Sequence, residues 1–185
     1  MIVRVSALAI LLATLGMPAV ALAGDAPRTV EARLQRIEDE LAIRRVLVDY
    51  SATQDARDYA GYAALFAREG EWVNGKTVHK GREAIHKMLI DLYGAPPPGY
   101  VNTESYHISS NPQIDIEGDR ARARSRHLLV LRGPDGAPTP ALAGIYEDEF
   151  IREDGAWKIL RRVDTPVMPT PAEWMEFIRK RRPAQ

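Results

Sequence analysis

The chain of 185 residues contains no cysteine. That excludes disulfides, thiolate catalysis and thiolate-ligated metal sites together. A folded domain must then depend on its hydrophobic core. Charge of one sign is not in excess either, because 25 basic residues balance 25 acidic ones. Nucleic acid is bound by clustered, unopposed positive charge, so it is not an expected partner. The sequence has no glycine-rich phosphate loop and no nucleophile elbow, and its His, Asp and Glu residues do not fall at metal-ligand spacing. We expect neither a metal nor a cofactor.

Long apolar runs are scarce, and the one present is N-terminal. Arg4 precedes it, Ala7 to Leu15 form it, and Pro18 breaks it. Ala21-Leu22-Ala23 then fits the small-x-small pattern of a cleavage site. The run is shorter than the ~20 apolar residues of a spanning helix. We expect a signal peptide over residues 1–23 and an exported product, periplasmic or secreted, with no stable membrane insertion after cleavage. The remaining chain is expected as one domain over residues 24–170, followed by a C-terminal helix and tail over residues 171–185.

Val30, Leu34, Ile37 and Leu41 recur at intervals of three and four, and Val46 and Leu47 extend the pattern to about Tyr50. This predicts an amphipathic helix with that stripe buried. Asp55 to Ala67 reads as a second helix, buried through Tyr59, Tyr62, Ala63, Leu65 and Phe66. Two short strands flank the turn Asn74-Gly75. Arg82 to Tyr93 reads as a third helix. Strand patterns dominate from Val101 onward: residues 103–109, 113–117, 120–132, 142–152 and 157–163. Along residues 120–132, Ala121, Ala123, Ser125, His127, Leu129 and Leu131 share one face, and four arginines share the other. The arginine face is expected to be solvated. Thr170 to Glu173 forms a capping box for a last short helix. Segregated helices and strands give an α+β class. A curved sheet wrapped on three N-terminal helices would enclose a pocket, where small ligands commonly bind.

Two segments carry a resemblance. One is Tyr50 to Asp58 followed by Ala64-Leu65-Phe66. The other is Gly144 to Ile159, which holds Tyr146, Asp148, Phe150, Gly155 and Trp157. Together, and in this order, they resemble the SnoaL-like branch of the nuclear transport factor 2-like superfamily over about Val30 to Met168. The resemblance implies a cone-shaped, curved, mixed or antiparallel sheet of the cystatin-like kind. It also implies site residues. In the dehydratase and dehydrochlorinase members a His–Asp dyad matches His107 and Asp55, a last-strand arginine matches Arg162, and a tyrosine donor matches Tyr50. The catalytic base of ketosteroid isomerase falls at Asn74, which cannot act as one.

The chemistry of these residue types is coherent. Histidine is a base near neutral pH, a carboxylate orients it, and Tyr or Arg stabilises a departing or developing oxygen. Each has another use. Asp55 lies between two helices and could be an N-cap, although Asp58 could serve instead and free Asp55. His127, Tyr146, Trp72 and Phe66 are candidate pocket walls. Tyr146 and Asp148 share a strand face, so Asp148 could partner an arginine. Alternation places Arg161 inside if Trp157 and Ile159 face inside, and Arg162 inside if they do not. His79 and His86 read as surface residues. The expected function is a lyase of dehydratase type, or an isomerase, acting on a small apolar molecule without a cofactor. The alternative is a non-catalytic binding domain or an accessory subunit. A homodimer or homotrimer is expected.

Overall fold

The computed structural model describes residues 29–181, and the expected signal peptide lies outside them. Helix α1 (Val30–Asp55) opens the fold, its N-terminus capped by the Thr29 hydroxyl, which accepts from the Ala32 amide at 3.2 Å. A short helix α2 (Tyr59–Ala64) follows, then β1 (Phe66–Asn74) and β2 (Thr77–Lys80). The turn between these strands carries Gly75 at φ 56°, a conformation that glycine adopts without steric cost. Helix α3 (Arg82–Tyr93) precedes a meander of four long strands. These are β3 (Ser105–Glu117), β4 (Arg120–Arg132), β5 (Pro138–Glu153) and β6 (Ala156–Met168). Helix α4 (Pro171–Arg181) ends the described chain, with the Thr170 amide donating to Glu173 Oε2 at 2.8 Å as the capping box predicts.

One six-stranded sheet runs in the order β2-β1-β6-β5-β4-β3. Only β1 and β6 pair in parallel, so the sheet is mixed. The core forms where the helices meet its inner face. Ile43, Leu47 and Tyr50 of α1, Tyr59 and Tyr62 of α2, and Ile85 and Leu89 of α3 pack there. They meet Phe66, Ala121, Ala123, Tyr146, Phe150, Trp157 and Ile159. Arg120, Arg122, Arg124 and Arg126 lie on the outer face and are exposed, as strand alternation predicts.

Several elements differ from expectation. The second helix, expected over Asp55 to Ala67, is confined to Tyr59–Ala64, and Phe66 and Ala67 open β1 instead. Helix α1 has two apolar faces, and the sheet takes the one centred on Ile43, Leu47 and Tyr50. The stripe of Val30, Leu34, Ile37 and Leu41 stays exposed. Residue 39 falls on the core side, where the Asp39 carboxylate accepts from Arg152 at 2.6 Å and from the Trp157 indole at 3.1 Å. The two expected strands at 103–109 and 113–117 are one strand with a bulge between Ser110 and Gln113. Asn111 takes φ 51° there, and the extra residue turns Ile114 and Ile116 inward after His107 and Ser109. Finally, His79 and His86 are half-buried rather than exposed, packed near Trp72 and Tyr59 respectively.

A second bulge decides the site. Ile159 pairs with Phe150 and Arg161 pairs with Glu149, so Leu160 is an extra residue in β6. Trp157 and Ile159 point into the core, and after the bulge so does Arg162, which is 1% exposed. Simple alternation sets Arg162 against Ile159, whereas the bulge puts both inside. Arg161 is therefore not the interior arginine. It lies on the other face, 3.4 Å from Glu71.

Candidate active site

Helix α1 delivers Asp55 to the free edge of the sheet. β3 is the last strand, hydrogen-bonded to β4 on one side only. On its open side the Asp55 carboxylate makes two contacts with one residue. Oδ2 accepts from the His107 backbone amide at 2.9 Å, and Oδ1 lies 2.7 Å from His107 Nδ1. One helical turn earlier, Ser51 Oγ meets Ser109 Oγ at 2.9 Å. Helix turn and strand pleat thus match over two successive pairs. Asp58, not Asp55, caps α2, accepting from the Gly61 amide at 2.8 Å. The cap that the sequence left open between the two residues falls to Asp58, and Asp55 is free for His107.

A carboxylate only accepts hydrogen bonds, so in the neutral imidazole Nδ1 carries the proton. Nε2 then holds the lone pair. The His107 side chain retains 10% exposure and Asp55 23%, so the pair sits at the rim of the interior.

Behind the rim lies a buried cluster of aromatic and charged groups. Arg162 Nε and Nη2 donate to the two Asp148 oxygens at 2.6 and 2.7 Å, in a fork that is closed to solvent on both sides. Its guanidinium carbon lies 3.8 Å from the Tyr50 ring centre and 4.3 Å from that of Tyr146. Burial alone would lower the pKa of Arg162, but the adjoining Asp148 carboxylate outweighs it and holds the guanidinium firmly charged. Tyr50 stands 4.5 Å from Tyr62 and 5.5 Å from Tyr146, ring centre to ring centre. Its hydroxyl accepts from the Trp72 indole at 3.0 Å. Burial pushes the Tyr50, Tyr62 and Tyr146 phenols upward. They stay protonated at neutral pH and can serve as donors.

His127 is buried at 4% exposure and belongs to a second pair. Its Nε2 lies 2.9 Å from Asp164 Oδ1, and its ring stacks on Tyr146 at 4.0 Å between centres. Asn74 approaches the other Asp164 oxygen at 3.5 Å. His107 and His127 sit on adjacent strands of the inner face, in the register His107 with Leu129 and Ser109 with His127. Among the described residues, Gln54 Oε1, Ser125 Oγ, His127 Nδ1 and Arg162 Nη1 are buried polar atoms without a hydrogen-bond partner.

The structure thus joins Asp55 to His107, and Tyr50 to Arg162, Tyr146 and Trp72. Phe66 is fully enclosed and packs on Tyr50 and Tyr62. Asp148 partners an arginine, as strand alternation suggested. Sequence reasoning missed Asp164. It follows Arg162 by two residues, so it shares the inner face once the Leu160 bulge is known. No group of three or more potential metal ligands occurs among the described residues.

Comparison with known proteins agrees with this fold. A gamma-hexachlorocyclohexane dehydrochlorinase from Sphingobium indicum is 23% identical over 146 residues, 78% of this chain and 90% of that protein. A protein from Novosphingobium aromaticivorans, provisionally assigned as a scytalone dehydratase, has a solved structure with a TM-score of 0.61 and 30% identity. That match covers 74% of this chain and 89% of the other. A second structure from that organism, described as NTF2-like with a cystatin-like fold, aligns at a TM-score of 0.67 with 24% identity, over 80% and 94% of the two chains. Residues 35–163 match the SnoaL-like domain, and the chain belongs to that family.

Proposed function

We propose that this chain is a cofactor-independent lyase, and that His107 is its base. The observation that carries the reading is the 2.7 Å contact between His107 Nδ1 and Asp55, made at a rim that solvent still reaches. Nε2 would take a proton from a substrate carbon. The bonding pair would form a carbon–carbon double bond as the leaving group departs from the neighbouring carbon. Asp55 would hold the imidazole and stabilise its charged form. Tyr50 and Arg162 would donate to an oxygen that gains charge. The relatives named above for dehydration and dehydrochlorination support elimination as the reaction class. Isomerisation through a residue 74 base has no support, because an amide does not take up a proton near neutral pH.

Scytalone and γ-hexachlorocyclohexane, the compounds named for those relatives, are the substrates to try first, within a panel of small hydroxylated and halogenated rings. His107→Ala and Asp55→Asn should each reduce turnover by about 10²–10⁴-fold while the protein stays folded. Full turnover by His107→Ala would overturn the reading. A second reading, a binding domain without turnover, draws on the aromatic filling of the interior by Tyr50, Tyr62, Phe66 and Tyr146. Saturable binding with no product across the panel would favour it.

We also infer that residues 1–23 are removed on export. A purified product that begins at Gly24, by intact mass, is the expected result.

A further inference from the structure

Helix α1 leaves a row of large aliphatic side chains in the open. Val30 is 72% exposed, Leu34 53%, Ile37 56%, Leu41 61% and Val48 60%. They lie on the side opposite Ile43, Leu47 and Tyr50, which face the sheet. Scattered apolar residues on a surface need no explanation, but a continuous stripe does. A helix that is apolar on two faces is one covered on two faces.

The spacing specifies the cover. Val30, Leu34, Ile37 and Leu41 are separated by four, three and four residues, the d-a-d-a order of a heptad seam. The next core position is Arg44, which ends the continuous seam. Flanking positions carry charge. Arg33 and Glu40 occupy g, and Glu38 and Arg45 occupy e. In a parallel arrangement g of one helix faces e of the following heptad on the next. Arg33 then meets Glu38, and Glu40 meets Arg45, both of opposite sign. Among the described residues Arg33 and Glu38 have no ion-pair partner within their own chain. An antiparallel arrangement sets e against e and g against g. The register using Val30 to Leu41 would then oppose Glu31 and Glu38 while joining Arg33 to Glu40, and the one extending to Val48 would oppose Glu38 and Glu40 each to itself while joining Glu31 to Arg45. Each holds a like-charged contact that the parallel arrangement avoids.

We propose that the outer face of α1 is a self-assembly seam, joined in parallel and in register to the same helix of further copies of this chain. Most residues of the first two turns, from Val30 to Glu38, are exposed, so this half of the helix has room for a neighbour. Leu at a with Val and Ile at d favours three or four strands over two. The seam is separate from His107 and Asp55, and its test does not depend on catalysis.

The first measurement is light scattering on the purified protein. The expected mass is a multiple of one chain. The double variant Leu34→Glu/Ile37→Glu changes only exposed side chains and should give the mass of one chain with an unchanged circular dichroism spectrum. Arg33→Glu should weaken assembly, and Arg33→Glu/Glu38→Arg should restore it. Because the chain has no cysteine, Ile37→Cys alone should form a disulfide-linked dimer on oxidation. A wild-type mass of one chain overturns the proposal. So does assembly untouched by Leu34→Glu/Ile37→Glu, or an Ile37→Cys chain that cross-links only when mixed with Leu41→Cys.

Discussion

Gly144 lies directly against His127: a Cβ at residue 144 would stand 2.2 Å from His127 Nε2 and 2.8 Å from the Thr165 carbonyl. The imidazole on β4 therefore reaches across β5, at the one point where β5 has no side chain, to Asp164 on β6. Gly144→Ala should push the ring away from Asp164 and off Tyr146. We expect a loss of about 1–3 kcal/mol in chemical denaturation, from overpacking. A variant as stable as the parent, with the His127 ring resonances unmoved, would contradict this geometry.

The Asp55–His107 contact predicts a tautomer. Nitrogen-15 NMR of the neutral protein should show His107 protonated at Nδ1, because the carboxylate can only accept. Asp55→Asn presents an amide that can donate or accept, so the two tautomers should mix. A parent protein already protonated at Nε2 would remove the basis for assigning Nε2 as the base.

Arg162 and Asp148 should behave as a buried pair. Arg162→Met leaves the Asp148 carboxylate enclosed without its partner, and we expect about 3–5 kcal/mol of destabilisation. Replacing both, as Arg162→Met/Asp148→Leu, should recover most of that stability. If the double variant is no more stable than the single one, the fork is not the source of the cost.

The buried phenols set an alkaline limit. Exposed tyrosine ionises near ~10. Burial pushes Tyr93 up to about 12, and Tyr62 and Tyr146 well above their ordinary value. Folding therefore favours the protonated forms. The resulting stability is complete below pH ~10 and is lost as pH rises through the folded values. Phenolate absorbance should show the buried tyrosines ionising together with unfolding. Smooth titration of all seven tyrosines near pH 10 in a folded protein would rule this out.

Much of the site could be read from the sequence, for reasons that also mark where reading stopped. His127 is legible as a candidate inner-face residue because Ala121, Ala123 and Ser125 alternate with arginines, and that alternation holds along β4 as far as His127. Asp55 could be freed because Asp58 offers a second cap three residues later. The interior arginine could not be fixed by alternation, since one extra residue at Leu160 reverses the faces midway along β6. Asp164 was hidden by the same reversal. Helix α1 shows another limit. Both of its faces satisfy a helical period, and only the position of the sheet selects Ile43 and Leu47 over Leu34 and Leu41.

The bulge in β6 makes this site depend on how a strand is paired as well as on its composition. Leu160 is the residue left out of the ladder between Ile159 and Arg161. Were Leu160 taken into the ladder opposite Glu149, every later residue of β6 would slip by one and turn over, carrying Arg162 and Asp164 to the outer surface and bringing Arg161 and Val163 inside. Asp148 and His127 would each lose a partner in one step. Removing Leu160 would instead leave Ile159 and Arg162 two residues apart on one face, so the inner face tolerates the loss of this residue better than a slip in register.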